Sequence, residues 1–334
     1  MSIAVMYYVR TFLWITLVIV AITMLVRSWE RQFPDKDLSL DSPPYADSAL
    51  LYTDWQAPDT AAIPATRAGT EIRYGLALIT HTARYLGPKG SVAAITNGMD
   101  CGDCHRNAGT LLMGNNFSAV AATYPRVGER SGRLESIPWR INDCIQRHLN
   151  GQRLDSSGKE MRAMVAYLLW IGKDVPRGIR PRNAALPQLP YPDRAADTAR
   201  GRVVYMDHCQ VCHGGQGAGV KDNEGISYVY PPVWGANSYS IGGEFYRISR
   251  LAAYILYNMP PGDTAMLSAA DSWDVAAYIN AKPHPEKFFP HDWPDPLRKA
   301  IDYPYGPFAD TFNARHHKYG PFKPIEAARK QRYR

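Results

Sequence analysis

The sequence has few cysteines and no concentrated block of positive charge. Only five of its 334 residues are cysteines, and no run of Lys and Arg is longer than two, although the formal net charge is +7. This charge favours anionic partners, but scattered basic residues argue against a protein that binds nucleic acid. With 46% hydrophobic and 21% charged residues, the chain is neither disordered nor collagen-like. Its length predicts a folded protein of two domains.

Long apolar runs are also scarce, which excludes a membrane protein with several spans. One uncharged run, residues 11–26, lies between Arg10 and Arg27. Its sixteen residues suit a cleaved signal peptide, but Arg10 can extend its charge to the membrane surface, which lengthens the apolar segment back to Ile3. No small-x-small cleavage pattern follows the run. We therefore expect an uncleaved, single-pass anchor over residues 1–27.

Four of the five cysteines belong to two copies of one short pattern, C-x-x-C-H. The two thiols of such a site bond to the vinyl groups of a haem, and the adjacent histidine binds the iron. A zinc site or a redox dithiol does not require that histidine. The pattern predicts two covalently bound haem c groups, attached through Cys101, Cys104 and His105 and through Cys209, Cys212 and His213. Because this attachment occurs outside the cytoplasm, we expect the haem domains on the periplasmic side of the inner membrane.

The rest of the chain predicts a mainly α fold of two tandem cytochrome c-like domains with irregular straps. Helical patterns cover residues 75–84, 138–150, 159–171, 195–207, 246–258 and 268–281, whereas prolines interrupt the segments between and after them. The predicted parts are the anchor (1–27), a stalk or strap (28–70), domain 1 (71–172), a linker (173–198), domain 2 (199–283) and a C-terminal strap (284–334) that lies irregularly over a domain surface.

A weak internal repeat supports two domains. Asn150 lies 45 residues after His105, and Met259 lies 46 residues after His213. An amphipathic helix follows each, with Tyr167 in the first half. Its counterpart in the second half contains Tyr278. Two tandem copies of one fold explain this spacing better than one large domain.

The sixth iron ligand differs between the halves. Met259 stands in a Pro-rich turn after a helix, where a thioether would bind iron and raise the haem potential; Met266 is the spare candidate. In the first half this position has no methionine, and the unpaired Cys144 lies nearby. A thiolate there would lower the haem potential, although free cysteines are also common as small buried residues. The alternatives for the first haem are His148, one helical turn after Cys144, and Met113, Met161 or Met164.

Arginines are frequent around Cys144. Their guanidinium groups bind oxyanions through paired hydrogen bonds, although most such stretches are solvated helix faces with paired charges. The arginines are Arg126, Arg130, Arg133, Arg140 and Arg147, among the acidic residues Glu129, Glu135 and Asp143.

From about residue 97 to 325 the sequence resembles the dihaem thiosulfate dehydrogenase family. The resemblance rests on the two attachment motifs, Ala108-Gly109-Thr110, Tyr124-Pro125, Arg140-Ile141-Asn142-x-Cys144, Asn150-Gly151, Glu160-Met161, Pro231-Pro232-x-Trp234-Gly235, Asn258-Met259-Pro260 and Lys318-Tyr319-Gly320-Pro321-Phe322. It implies joining of two thiosulfates into tetrathionate, or the reverse, at a haem ligated by His105 and Cys144. It also implies electron transfer through a haem ligated by His213 and Met259, with Arg130 and Arg140 binding anions.

Two features depart from that family. Its members are usually soluble exported proteins, whereas this chain has a predicted anchor, and the position of His148 is usually small and hydroxylated. An imidazole there would fill the substrate pocket or bind the iron. The sequence therefore leaves two functions open. One is an enzyme that acts on a sulfur oxyanion and passes electrons to a cytochrome; the other is a non-catalytic dihaem electron-transfer subunit of a respiratory or photosynthetic membrane complex.

Overall fold

The computed structural model describes residues 54–262 and 266–332, together with Trp14, Thr16 and Met24. The chain divides into two units, Met1–Leu50 and Leu51–Arg334, and the description below concerns the second. Among the described residues, no helix is long and apolar enough to cross a membrane. The predicted anchor and most of the predicted stalk lie outside the described residues.

Short helices and one hairpin build the first half of this unit. Thr66 caps the first helix by accepting the Gly69 N–H at 3.2 Å, and Ser136 caps the fifth by accepting the Trp139 N–H at 3.2 Å. The helices are α1 (Arg67–Thr80), α2 (Thr82–Leu86), α3 (Arg106–Gly109), α4 (Val120–Thr123), α5 (Ile137–Arg147) and α6 (Lys159–Ile171), with 3₁₀ turns at Thr60–Ala62 and Cys101–Asp103. Strands β1 (Arg126–Val127) and β2 (Leu134–Glu135) pair antiparallel.

The second half shares with the first the order helix, attachment motif, strand pair and two helices, and it continues into two further helices. Helix α7 (Thr198–Val204) continues through a π-helical turn (Tyr205–Cys209) into α8 (Gln210–His213). Next come the antiparallel strands β3 (Val220–Lys221) and β4 (Tyr228–Tyr230), a 3₁₀ turn (Glu244–Tyr246), and helices α9 (Ile248–Asn258), α10 (Ala269–Asn280), α11 (Ala314–Tyr319) and α12 (Phe322–Arg332). Ser268 and Asp271 form a reciprocal capping box at the start of α10.

The internal repeat is visible as a helix crossing that occurs in both halves. Helix α1 packs on α6 with Gly75 at the crossing, where a Cβ atom would overlap the carbonyl group of Ala163 and approach Cβ of Tyr167 to 2.9 Å. Helix α7 packs on α10 with Gly201 at the crossing, and its neighbours there are the carbonyl group of Asp274 and Cβ of Tyr278. Tyr167 and Tyr278 are the residues that the sequence repeat aligned.

Two regions differ from the sequence-based expectation. Helix α1 begins at Arg67 rather than near residue 75, because the Thr66 cap starts it inside the segment predicted as a stalk or strap. The tail predicted as an irregular surface strap contains α11 and α12. Asn313 caps α11, and α12 brings Phe322 and Ile325, both fully buried, into the hydrophobic core of the second half. The tail is therefore part of that core.

Candidate functional site

The first attachment motif is fixed by hydrogen bonds from α2. Cys101 and Cys104 flank a 3₁₀ turn that leads through His105 into α3. The carboxylate of Asp100 accepts the backbone N–H of Ala83 at 2.6 Å, and the backbone N–H of Cys101 donates to the hydroxyl of Thr82 at 3.0 Å. Neither cysteine forms a disulfide, so both sulfurs are available for attachment.

A hydrogen bond at Nδ1 fixes the orientation of the His105 ring. Its Nδ1 atom lies 2.5 Å from the carbonyl oxygen of Asn115, and the ring packs on Phe117 with centroids 4.3 Å apart. Because a carbonyl only accepts, Nδ1 carries the proton and Nε2 keeps its lone pair for a metal. Burial lowers the pKa of His105 to about 4, so the imidazole is neutral at ordinary pH.

The second motif has the same arrangement and opens on an apolar cavity. The Nδ1 atom of His213 lies 2.8 Å from the carbonyl oxygen of Pro231, and burial lowers the pKa of His213. Cys209, Cys212, His213 and Met259 are among the residues that line the cavity. Thiols for attachment, an imidazole nitrogen and a thioether that line one apolar cavity fit a covalently bound haem.

The methionines that are candidate iron ligands lie in different surroundings. Met259 follows the last residue of α9 and lines the cavity, whereas the spare candidate Met266 is 48% exposed. Met161 and Met164 are buried in α6, where Met164 belongs to the core of the first half. Met113 packs against the core of the second half.

Cys144 lies in α5, within electrostatic reach of both Cys101 and Cys104. Burial alone raises the pKa of its thiol, but the guanidinium of Arg140 and a hydrogen bond with His148 reverse this, so the pKa of Cys144 falls below its usual value. The mutual attraction also raises the pKa of Arg140. The site therefore favours a thiolate at Cys144.

The arginines near Cys144 have different partners. Arg147 is almost fully buried; it forms an ion pair with Asp143 and binds the two carboxylate oxygens of Asp292 at 2.6 Å each. Arg140 donates to Asp143 at 2.7 Å and remains one-third exposed. Arg147 therefore forms structural ion pairs, whereas Arg140 lies beside the sulfur of Cys144.

Arg130 is buried between the two halves. Its Nη1 atom donates to the carbonyl of Gly242 at 3.2 Å, and Nη2 forms an ion pair with Glu244. Its Nε atom is buried and has no hydrogen-bond partner among the described residues. A buried donor of this kind is available to an anion. Arg133 is exposed on the hairpin, and the guanidinium of Arg126 lies over the ring of Tyr124.

Sequence reasoning missed the residues that join the two sites. Arg106, directly after His105, donates to the carbonyl of Asn258 at 2.9 Å, and the Asn258 side chain donates to the carbonyl of Met113 at 2.8 Å. The hydroxyl of Tyr254 donates to the carbonyl of Asp103 at 3.0 Å. The sequence signal for this contact was the position of Asn258 immediately before Met259.

Glu244 was also missed, since it lies 96 residues after His148. Its backbone N–H donates to Nε2 of His148 at 2.9 Å, and its carboxylate binds Arg130 and also Arg247, the latter at 3.2 Å. No periodicity or motif marks it in the sequence. Among the described residues there is also no group of three or more His, Cys, Asp and Glu side chains that would hold a metal ion by itself.

The two halves match known domain families. Residues 91–176 match the SoxA/TsdA cytochrome c domain, and residues 196–279 match the family described as cytochrome c oxidase, cbb3-type, subunit III. The two predicted cytochrome c domains and two covalently bound haem c groups are therefore confirmed.

Curated relatives extend this similarity across both halves. The chain is 32% identical over 232 residues to a thiosulfate dehydrogenase of Stutzerimonas stutzeri, which covers 70% of this chain and 73% of the relative. It is also 32% identical over 232 residues to a thiosulfate dehydrogenase of Allochromatium vinosum; this match covers 68% of this chain and 83% of the relative. A solved thiosulfate dehydrogenase (TsdBA) from Marichromatium purpuratum, in its as-isolated form, matches with a TM-score of 0.66 and 30% identity over 70% of this chain and half of the solved one. The chain belongs to the thiosulfate dehydrogenase family of c-type cytochromes.

Proposed function

We propose that this chain is a membrane-anchored thiosulfate dehydrogenase that joins two thiosulfate ions into tetrathionate, or catalyses the reverse reaction. The reaction would occur where His105 and Cys144 hold the first haem, and electrons would leave through the haem held by His213 and Met259. The main support is the setting of Cys144, whose sulfur lies beside Arg140 and His148 and near the first attachment motif. Relatives named thiosulfate dehydrogenase add to it.

Charge is the first requirement of this chemistry. Two S₂O₃²⁻ ions bring four negative charges together, and the product S₄O₆²⁻ keeps two while two electrons leave. Arg140, beside the Cys144 sulfur, would offset the repulsion between the dianions, and the free Nε–H of Arg130 would hold a sulfonate oxygen. Each bound haem supplies a one-electron acceptor.

Cys144 would be the sulfur that handles the substrate. Its thiolate would leave the iron and bond to the terminal sulfur of the first thiosulfate, giving Cys144–S–S–SO₃⁻, and the two electrons released would pass to the two bound haems, one to each. The terminal sulfur of the second thiosulfate then attacks the middle sulfur of this adduct, the Cys144–sulfur bond breaks, and S₄O₆²⁻ leaves. The Cys144 thiolate is restored, so the cycle needs no proton transfer and uses the lowered pKa of Cys144 throughout.

Loss of the Cys144 sulfur tests this assignment. We expect Cys144→Gly to lower the turnover of thiosulfate with an artificial electron acceptor on the order of 10³-fold or more, because a nucleophile is removed. The pyridine haemochrome assay should still give two haems per chain, since the other four cysteines attach them. Met164→Leu, in the buried core of α6, is the control that keeps activity.

Two results would contradict the proposal. Full activity in Cys144→Gly would exclude Cys144 as the catalytic sulfur. A wild type that neither oxidises thiosulfate nor reduces tetrathionate, together with an active His148→Ser variant, would identify the chain as an electron-transfer subunit whose pocket is closed by an imidazole.

The anchor and the location form a second part of the proposal. Residues 1–27 would hold the chain in the inner membrane, with the haem domains in the periplasm beside a redox partner cytochrome or a membrane electron-transfer complex. The uncharged run of residues 11–26 and the two attachment motifs support this. The full chain should stay in the membrane fraction after carbonate extraction. A form in which a cleavable signal peptide replaces residues 1–27 should be released, and release of the full chain would contradict the anchor.

A further inference from the structure

His148 has a defined tautomer in the structure. Its Nε2 atom accepts the backbone N–H of Glu244 at 2.9 Å. Because a backbone N–H only donates, Nε2 has no proton, and the neutral ring carries its proton on Nδ1. The lone pair of Nε2, which could otherwise bind a metal, therefore accepts a hydrogen bond from Glu244.

The Nδ1 side of the His148 ring is available to Cys144. His148 lies one helical turn after Cys144, its side chain lowers the pKa of the Cys144 thiol, and its backbone N–H donates to the carbonyl of Cys144 at 2.8 Å. With Nε2 occupied by Glu244, Nδ1–H is the donor that the ring has left to offer the Cys144 sulfur. A ring held in this way has no nitrogen left for iron.

The second half of the molecule fixes the ring in place. The carboxylate of Glu244 is bound by Arg130 and by Arg247, the latter at 3.2 Å. The ring also meets Phe245 edge-on, with centroids 6.3 Å apart. This loop region is also tied to α5, since the backbone N–H and the hydroxyl of Ser240 both donate to the carbonyl of Arg147 at 2.9 Å.

We propose that His148 is a positioning residue that donates an Nδ1–H hydrogen bond to the sulfur of Cys144 and raises the potential of the first haem. This inference rests on the proposed role of Cys144 as ligand to that haem. A thiolate that accepts a hydrogen bond donates less charge to iron, so it stabilises the ferric state less than an unbonded thiolate does. His148 thus replaces neither the iron ligand nor the substrate.

An isosteric pair of variants separates this role from packing. In His148→Asn, the amide nitrogen stands two bonds from Cβ, as Nδ1 does in histidine, and it can donate to the sulfur. In His148→Leu, a side chain of the same branching has no donor. Both variants are measured as the full chain with both haems attached, by spectroelectrochemical titration of each haem.

We expect His148→Leu to shift the first haem to a lower potential and His148→Asn to restore most of the wild-type value. The second haem serves as an internal reference and should not move. In a Cys144→Gly background the effect of His148→Leu should vanish, because the acceptor is gone.

Three results would overturn the inference. The first is an unchanged first-haem potential in His148→Leu. The second is an equal shift in the Leu and Asn variants, which would indicate packing alone. The third is conversion of the first haem to a high-spin spectrum in His148→Leu, which would make His148 an iron ligand. If Cys144→Gly itself leaves the spectrum of the first haem unchanged, Cys144 is not a ligand of that haem. That result contradicts the proposed function, and it differs from the three results that contradict the role of His148 alone.

Discussion

At the scale of single residues, the arginines around Cys144 show how little a local pattern says about a side chain's role. Arg130, Arg140 and Arg147 lie in one arginine-rich stretch of the sequence, from which the family resemblance singles out Arg130 and Arg140 for binding anions. In the structure, Arg147 pairs with Asp292, which is 145 residues away, and Arg130 pairs with Glu244, which is 114 residues away. Partners at such distances have no signature in the local sequence, so only the folded chain separates structural arginines from available ones.

Arg147 accordingly carries a prediction about stability. Its side chain is 3% exposed and faces two buried carboxylates, so Arg147→Leu leaves Asp292 buried without its partner. We expect the free energy of unfolding to fall by about 3–5 kcal/mol. Arg162→Leu removes an ion pair with Glu71 from a side chain that is 61% exposed, and it should cost less than about 1 kcal/mol. Urea denaturation followed by circular dichroism measures both, and equal losses would contradict the structural role of Arg147.

What the sequence could predict at this scale follows from chemistry that is local. The two attachment motifs are contiguous, and Met259 stands in a distinctive turn, so these residues were accessible to sequence reasoning. The alternatives for His148 stayed open because the contact on which our proposal for it rests is with the backbone N–H of Glu244. A backbone donor has no identity in a sequence and becomes a partner only when two distant segments meet.

At the scale of helices, the crossing of α1 and α6 determines which residues are tolerated. Helix propensity alone predicts that alanine in place of a helical glycine stabilises by about 1 kcal/mol. At Gly75 and at Gly201, however, a Cβ atom would overlap the facing carbonyl group. The two effects have opposite signs, which makes the crossing easy to test.

We expect Gly75→Ala and Gly201→Ala each to lower the free energy of unfolding by about 1–3 kcal/mol, because the paired helix must move away. Gly215→Ala is the control: the nearest atom to its Cβ is 3.7 Å away, and its effect should be near zero. Thermal melts followed by circular dichroism rank the three. Stabilisation at Gly75 would show that propensity outweighs the close approach.

Helix boundaries were predicted less well than helix positions. The expected helix over residues 159–171 agrees with α6, since a regular apolar period marks its whole length. The start of α1 depends on the single hydroxyl of Thr66, and α11 and α12 follow a segment rich in proline that masks them. Burial of Phe322 in the core of the second half supplies the stability that the local sequence of α12 lacks.

At the scale of the whole molecule, contacts between the two halves are numerous. They include the hydrogen bonds from Arg106 to Asn258 and from Lys287 to the carbonyl of Gly151, at 2.9 and 2.7 Å. Residues 51–334 accordingly form one compact unit, although the repeat within it describes two domains.

We expect both halves to unfold in a single transition. Because breaking one half removes the partners of the other, an intermediate with one folded half should not accumulate. Differential scanning calorimetry of the full chain should give a ratio of calorimetric to van't Hoff enthalpy near one. A ratio near two, or two resolved peaks, would show that the halves are energetically independent.

The loop after α3 contacts both haem sites through two of its backbone carbonyls. The carbonyl of Met113 holds Asn258, next to Met259, and the carbonyl of Asn115 holds the ring of His105. Both residues adopt positive φ, 59° and 54°, so each carbonyl is aimed by a left-handed turn of the chain. Insertion or deletion of one residue between them would redirect one carbonyl away from its site, whatever the inserted side chain. The length of this loop, rather than its composition, keeps His105 and Met259 in register.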